Sequence, residues 1–402
     1  LEPVRCLLVI MRKTALLCLL AVAGCGGSSG AKADAGGGAG GGGAAGAGTG
    51  GGGNAGNGAA GTGGTMDASV ADTRARDWSR VEALLLATAT DAGVSSLGLT
   101  IWDGTDARIY ERMVGGFTAD TRVAIASASK MVSGLVVFDA IRRGELTLDA
   151  TTGGVLQWTG ANATITLRQL LSFTSGLERE DPCTVRPLIA LADCVAAIRD
   201  APVVAAPGAQ FDYGSTHLQV AARMAEVSSG KSWAQLFDDT LRTPLGLPAD
   251  VAYFTAPKQS LGTMNPLVAG GLRASMNDYA NFLALVFHRG NYRGLTIGTA
   301  ALFDEQAREV SPAPVIDYSP VEAIGLPYHY GLTAWLMCDT PATGCADLSS
   351  PGAFGFTPWL DRAAGYYAIL GMELDKGSVD TGVVDFAVKL QQELEPLIRE
   401  QL

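Results

Sequence analysis

Apolar and polar positions change their spacing several times along this chain, and the changes divide it into elements. In RDWSRVEALLLATATDAG (76–93), Trp78, Val81, Leu84 and Leu85 recur at helical intervals, which predicts a helix with one buried face. The pattern then shortens: SSLGLTIWDGTDARIYERM (95–113) predicts two strands around an Asp103–Gly104 turn. Residues 127–143 form an apolar helix stopped at Gly144, a natural C-cap. A long, mostly helical middle extends to about residue 325. Strand patterning returns in YGLTAWLM (330–337), PGAFGFTPWLD (351–361) and GYYAILGMEL (365–374), and the last segment reads as an amphipathic helix. The order strands, helices, strands, helix predicts an α+β fold whose sheet draws on both chain ends, with a helical insertion between them. There is no internal repeat.

The first 75 residues follow a different pattern. In MRKTALLCLLAVAGC (11–25), Arg12 and Lys13 precede a short apolar run, and small residues then lead to Cys25. The run is too short to span a membrane. It resembles a bacterial lipoprotein signal, in which Cys25 becomes the lipidated first residue. That implies a chain anchored in the bacterial cell envelope, facing the periplasm or exterior. Residues 1–10 precede Met11 and read as a start-site extension. Residues 26–75 are rich in Gly and Ala, cannot bury a core, and read as a flexible linker to a domain at 76–402.

The four cysteines after Cys25 form two pairs close in sequence. Export exposes them to an oxidising compartment, so disulfides Cys183–Cys194 and Cys338–Cys345 are expected. Net charge is −11, and residues 66–402 carry 25 basic against 38 acidic residues. An acidic domain without a basic cluster is a poor candidate for nucleic acid. His217, His288 and His329 lie far apart, and no metal motif accompanies them, so neither a metal nor another cofactor is expected. The partners expected are a small-molecule or peptide substrate and, through Cys25, a membrane; the domain is expected to act as a monomer.

Candidate chemistry begins at Ser127-Ala128-Ser129-Lys130, which opens the helix after VAIA. Spacing of three puts Ser127 and Lys130 on one helical face, beside N–H groups that favour a developing oxyanion. A desolvated lysine there could accept the serine proton. A second S-x-x-K, Ser228 to Lys231, falls at a helix end before a Gly230 cap, and a G-x-S-x-G at 26–30 falls in the linker; both read as chance matches. In PGAQFDYGSTHLQV, Tyr213 and Ser215 precede a further helix, and a phenol near a lysine ammonium could have a lowered pKa and act as a base. His217, four residues on, reads as a helix-start residue near the cleft mouth.

Several motifs in one order resemble a family: VAIASASK (123–130), GELTLD (144–149), ITLRQLLSFTSGL (165–177), PGAQFDYGST (207–216), AGGLRASMNDYANF (269–282) and YGLTAWL (330–336). Together they resemble serine hydrolases of the β-lactamase and penicillin-binding-protein fold, in the branch of class C β-lactamases, D,D-carboxypeptidases, D-aminopeptidases and β-lactamase-like esterases. The resemblance implies an antiparallel sheet flanked by helices, with a mostly helical subdomain at about 150–325. It implies Ser127 as the acylated nucleophile, Lys130 as its activator and Tyr213 as the proton shuttle. Ser215 stands where the family often has Asn and could still hydrogen-bond the substrate or Lys130, with shorter reach.

The family's third motif, K-T-G or H-x-G on an edge strand, aligns with Ser350, Pro351 and Gly352. Gly352 is retained, and the Ala353 N–H could complete an oxyanion hole with that of Ser127. The cation is missing, and Ser350 offers a substrate one neutral hydrogen bond instead. This departure points toward small esters, amides or cell-wall-related peptides. Two alternatives remain: a catalytically weak or inactive envelope lipoprotein that binds ligands or peptidoglycan, and a true β-lactamase or D,D-carboxypeptidase in which Arg273 supplies the cation.

Overall fold

The computed structural model describes residues 76–259, 261, 263–309 and 315–402. The export signal, Cys25 and the Gly-rich linker lie outside the described residues. The first helix, α1 (Ser79–Asp91), buries Val81, Leu85 and Ala89 along one face. Strands β1 (Leu97–Asp103) and β2 (Arg108–Val114) follow as an antiparallel pair. The Asp103 carboxylate shapes their turn, accepting the Thr105 N–H at 2.9 Å and its hydroxyl at 2.6 Å.

The chain returns to the same sheet only near its other end, with β3 (His329–Tyr330), β4 (Trp335–Leu336), β5 (Asp347–Ser349), β6 (Thr357–Asp361) and β7 (Tyr366–Gly371). The seven strands run in the order β2-β1-β7-β6-β5-β4-β3, and every neighbouring pair is antiparallel. Longer helices are α2 (Ser129–Arg142), α3 (Thr216–Ser229), α4 (Met276–Phe287) and α5 (Val383–Arg399). Strand β7 is buried throughout because both faces of the sheet are covered. Tyr366, Ala368 and Leu370 share a core with α1 and α5, while Tyr367 and Ile369 enter the larger core on the opposite side. There α4 lies on β6 and β7, and α2 packs between α4 and α3. Helix α2 is buried from Ser129 to Ala140 and ends in a Schellman motif, with Gly144 at φ +76° and N–H groups of Gly144 and Glu145 bonded to Ile141 and Ala140 carbonyls.

Two expectations need correction. YGLTAWLM is not one strand but a hairpin, β3–β4, turned at Thr333 (φ +60°), whose N–H is held by the Leu171 carbonyl at 2.9 Å. The middle is mostly helical, as expected, with a few short ladders: Arg273–Ala274 pairs with Val123–Ala124, and Gln210–Asp212 pairs in parallel with Val315–Tyr318. Ladders this short carry no readable alternation. The strand leading to Ser350 is not an edge strand, because β4 and β3 lie outside it; Pro351 is tolerated because the ladder ends at Ser349.

The structure joins Cys183 to Cys194 and Cys338 to Cys345, as expected. No helix among the described residues is long and apolar enough to cross a membrane.

Candidate active site

Ser127 stands at a turn the local sequence has to hold in place. The chain leaves strand Val123–Ala124, and Ala126 adopts φ +46°, a left-handed conformation that costs a non-glycine residue about 1 kcal/mol. Ser129 supports it: its hydroxyl donates to the Ala126 carbonyl at 2.6 Å and accepts the Leu272 N–H at 3.1 Å. Ser129 thus has a structural task inside the S-x-x-K motif. A single 3-10 turn over Ala126–Ala128 then leads into α2 and leaves Ser127 half-buried.

Lys130, one turn on, is 3% exposed, and its Nζ donates to Ser127 Oγ at 3.1 Å and to the Ala269 carbonyl at 3.0 Å. Burial pulls its pKa down to about 8, against a smaller upward pull from the Glu180 carboxylate. Its ammonium also lies 4.6 Å from the ring centre of Tyr213, a cation–π contact that supports the charged form.

Tyr213 follows the Gln210–Asp212 strand, and its N–H is fixed by the Tyr318 carbonyl at 3.0 Å. Its ring packs between Phe173, Trp335 and Tyr330, with centroids at 5.0, 5.1 and 5.8 Å. The Ser127 and Trp335 side chains lie near its oxygen and act to lower its pKa, so Ser127 Oγ has Lys130 and Tyr213 as neighbours. The expectation of a phenol acidified by lysine is overturned. Burial raises the Tyr213 pKa more than those two neighbours lower it, so Tyr213 stays protonated at neutral pH and holds a proton to give.

Gly214 explains the Y-G-S spacing. A Cβ there would come 2.2 Å from the Arg179 carbonyl oxygen, so only glycine lets the chain cross that backbone. The crossing is fastened by the N–H of Ser215 on the Arg179 carbonyl at 2.9 Å, and it delivers the Ser215 hydroxyl to Glu180 Oε1 at 3.1 Å. Ser215 therefore points to a carboxylate rather than to Lys130. Glu180 is exposed to solvent at the side of Ser215, near enough to Lys130 for the two charges to act on each other. Desolvation raises its pKa, and Lys130 and Ser215 oppose the rise. Sequence reading missed Glu180: GLERED carries three carboxylates, and nothing in the pattern tells which meets Ser215.

Ser350 contacts Ser127, and Gly352 abuts the turn that precedes it. The buried Ser350 donates its hydroxyl hydrogen to the main-chain carbonyl of Ser127 at 3.1 Å. That corrects the expectation that this hydrogen is free for a substrate. At Gly352 a Cβ would come 2.2 Å from the Ile125 carbonyl, so the loop abuts the turn before Ser127 only as glycine. The Ala353 N–H has no acceptor among the described residues, and the Ser127 N–H lies in the first helical turn, where no preceding turn supplies one.

Other candidates are placed elsewhere. His217 is fully buried, with Nδ1 at 2.7 Å from the Ser175 hydroxyl and Nε2 at 2.8 Å from the Asp212 carbonyl; burial lowers its pKa to about 4. As a neutral ring it orients the Asp212–Tyr213 peptide instead of facing the cleft mouth. The Arg273 guanidinium stacks 4.8 Å from Phe254 and donates to the Pro257 carbonyl. His288 pairs with Asp106 and His329 with Glu309, both at 2.8 Å. Lys231 of the second S-x-x-K is exposed and paired with Asp239, after Gly230 at φ +71°.

Comparison with known proteins agrees with this architecture. Residues 85–384 match the family model described as Beta-lactamase. The chain is 32% identical over 157 residues to Penicillin-binding protein 4 of Amycolatopsis lactamdurans, covering 36% of this chain and 39% of that protein. It is 27% identical over 184 residues to the D-alanyl-D-alanine-carboxypeptidase/endopeptidase AmpH of Escherichia coli (strain K12), covering 42% and 48%. These matches span less than half the length of either relative. Among solved structures, a putative beta-lactamase from Bacteroides dorei DSM 17855 superposes with a TM-score of 0.72 at 27% identity, covering 81% of this chain and 100% of that one. With its antiparallel sheet, its helices and the motif order that accompanies them, the chain belongs to the beta-lactamase family of serine hydrolases.

Proposed function

We propose that this protein is an exported hydrolase that forms an acyl-enzyme on Ser127 and acts on small esters or amides that carry no carboxylate. The observation that supports this reading is the placement of Ser127 Oγ beside a buried Lys130 Nζ, at 3.1 Å and with its pKa pulled to about 8, and near the protonated phenol of Tyr213. Neutral Lys130 takes the Ser127 proton as Oγ attacks the acyl carbonyl. The N–H groups of Ser127 and Ala353 receive the developing oxyanion. Tyr213 gives its proton to the leaving oxygen or nitrogen as the acyl bond breaks, and the Lys130 ammonium restores that proton. Water then attacks the acyl-serine, its proton passing to the same pair, and Ser127 is released.

Anchoring through Cys25 would hold this domain in the cell envelope at the end of the Gly-rich tether. The absence of a cation at Ser350 favours neutral substrates over the carboxylate-bearing ones of a β-lactamase or D,D-carboxypeptidase. Arg273 does not fill the gap, because its guanidinium is engaged by Phe254 and Pro257. The test compares the full chain with Ser127→Ala on p-nitrophenyl butyrate and follows covalent labelling by a fluorophosphonate. Turnover and labelling are both expected to vanish in the variant. Undiminished hydrolysis by Ser127→Ala would refute the mechanism.

A further inference from the structure

The cleft beside Ser127 contains a carboxylate that the acyl-transfer steps do not use. Glu180 is held there by Ser215, whose hydroxyl reaches Oε1 at 3.1 Å, and by the backbone crossing at Gly214. A carboxylate has about four acceptor positions, so this contact leaves most of its hydrogen-bonding capacity open to a ligand. Among the described residues no Lys or Arg forms an ion pair with it.

The nearby cations are committed elsewhere. Arg179 bridges Asp212 and Asp317, at 3.4 and 3.1 Å, and lies over the Tyr318 ring. Lys258, over Phe354 beside the Ala353 loop, is paired with Asp375 at 2.7 Å. Arg273 is held by Phe254 and the Pro257 carbonyl. Lys130 and, more weakly, Arg179 offset Glu180; Arg179 is itself shared between two carboxylates, and Lys130 contributes only while it is an ammonium, so the offset falls once Lys130 is neutral and able to act as a base.

We propose that Glu180 sets the charge selectivity of this cleft, favouring acyl substrates that carry an ammonium group near the scissile bond and rejecting those that carry a carboxylate. This rests on the reading of Ser127 as an acyl-enzyme nucleophile. A carboxylate facing the substrate acts both ways, attracting one class and repelling the other. In a part-exposed cleft one such contact changes kcat/KM by roughly tenfold.

The experiment uses the full chain and the p-nitrophenyl esters of γ-trimethylammoniobutyrate, its uncharged tert-butyl isostere and adipate. Because Glu180 also acts on Lys130, a substitution shifts all three rates together, and the ratios between esters cancel that shift. Wild type is expected to prefer the cationic ester to the isostere by roughly tenfold and to disfavour adipate by a similar factor. Glu180→Gln should bring both ratios close to one, and Glu180→Lys should invert them. Fluorophosphonate labelling of Ser127 shows that each variant is folded. Ratios unchanged in Glu180→Gln, with Ser127-dependent turnover of the isostere intact, would overturn this inference alone. Absence of Ser127-dependent turnover of every ester would overturn the acyl-enzyme reading and this inference with it.

Discussion

The sharpest consequence of the site concerns pH. Lys130 acts as a base only when neutral, and its burial against Ser127, Tyr213 and the Ala269 carbonyl sets how often that is so. Desolvation outweighs the opposing pull of Glu180 and leaves its pKa at about 8; the other titratable neighbours, His217 and Tyr213, stay uncharged at neutral pH. With that value about one Lys130 in ten is neutral at pH 7 and about nine in ten at pH 9. The kcat/KM for a neutral ester should therefore rise roughly ninefold between those pH values and level off above them. An ordinary lysine would give a limb rising about tenfold per pH unit and no plateau below pH 10. The assay is initial-rate hydrolysis of p-nitrophenyl butyrate from pH 6 to 10, with Ser127→Ala subtracted as the spontaneous rate. Lys130→Ala should lose roughly 10²–10⁴-fold in kcat/KM together with the limb. A profile that is flat across this range, or a limb that survives in Lys130→Ala, would refute the assignment of the base.

Two further outcomes follow from the geometry. In Gly352→Ala the new methyl meets the Ile125 carbonyl, which is backbone and cannot swing aside, so the Ser350–Ala353 loop must retreat from Ser127. Steady-state kinetics should show kcat lowered by about 10²–10³-fold, and wild-type turnover would show that this loop does not serve the oxyanion. At the far end of β5, Asp347, Asp361 and Glu395 surround one guanidinium, Arg399. Three carboxylates against one cation in a buried setting retain a proton: burial and mutual repulsion hold Asp347 and Glu395 above the usual carboxylate range. A raised folded-state pKa means that the folded state binds this proton more tightly. The stabilisation is thus complete below the ordinary carboxylate pKa and is lost as pH rises through the folded value. Urea unfolding should show stability falling by on the order of 2 kcal/mol between pH 5 and 8, with the slope flattened in Asp347→Asn; an unchanged slope would place the proton elsewhere.

What could be read from the sequence depended on whether neighbours along the chain carried the information. Helix α1, the β1–β2 hairpin, β7 and α5 repeat their pattern over several turns or residues, and each formed where its periodicity indicated. Ser127 and Lys130 share one turn of backbone, so their meeting is a local fact. The contacts that set the site's electrostatics are not local. Glu180 reaches Ser215 only because Gly214 admits a second chain segment against the Arg179 carbonyl, and the Ser350 hydroxyl turns away from the cleft because the Ser127 carbonyl lies within its reach. The misjudged acidity of Tyr213 has the same origin. Proximity to a lysine argued for a lowered pKa, but the aromatic packing by Phe173 and by Tyr330 and Trp335 of the β3–β4 hairpin, two segments distant in sequence, desolvates the phenol, and that cost exceeds what Ser127 and Trp335 return. The same desolvation acts with opposite sign on the two groups beside Ser127. It strips the proton from lysine and fixes it on tyrosine, and this divergence gives one residue the part of base and the other that of acid.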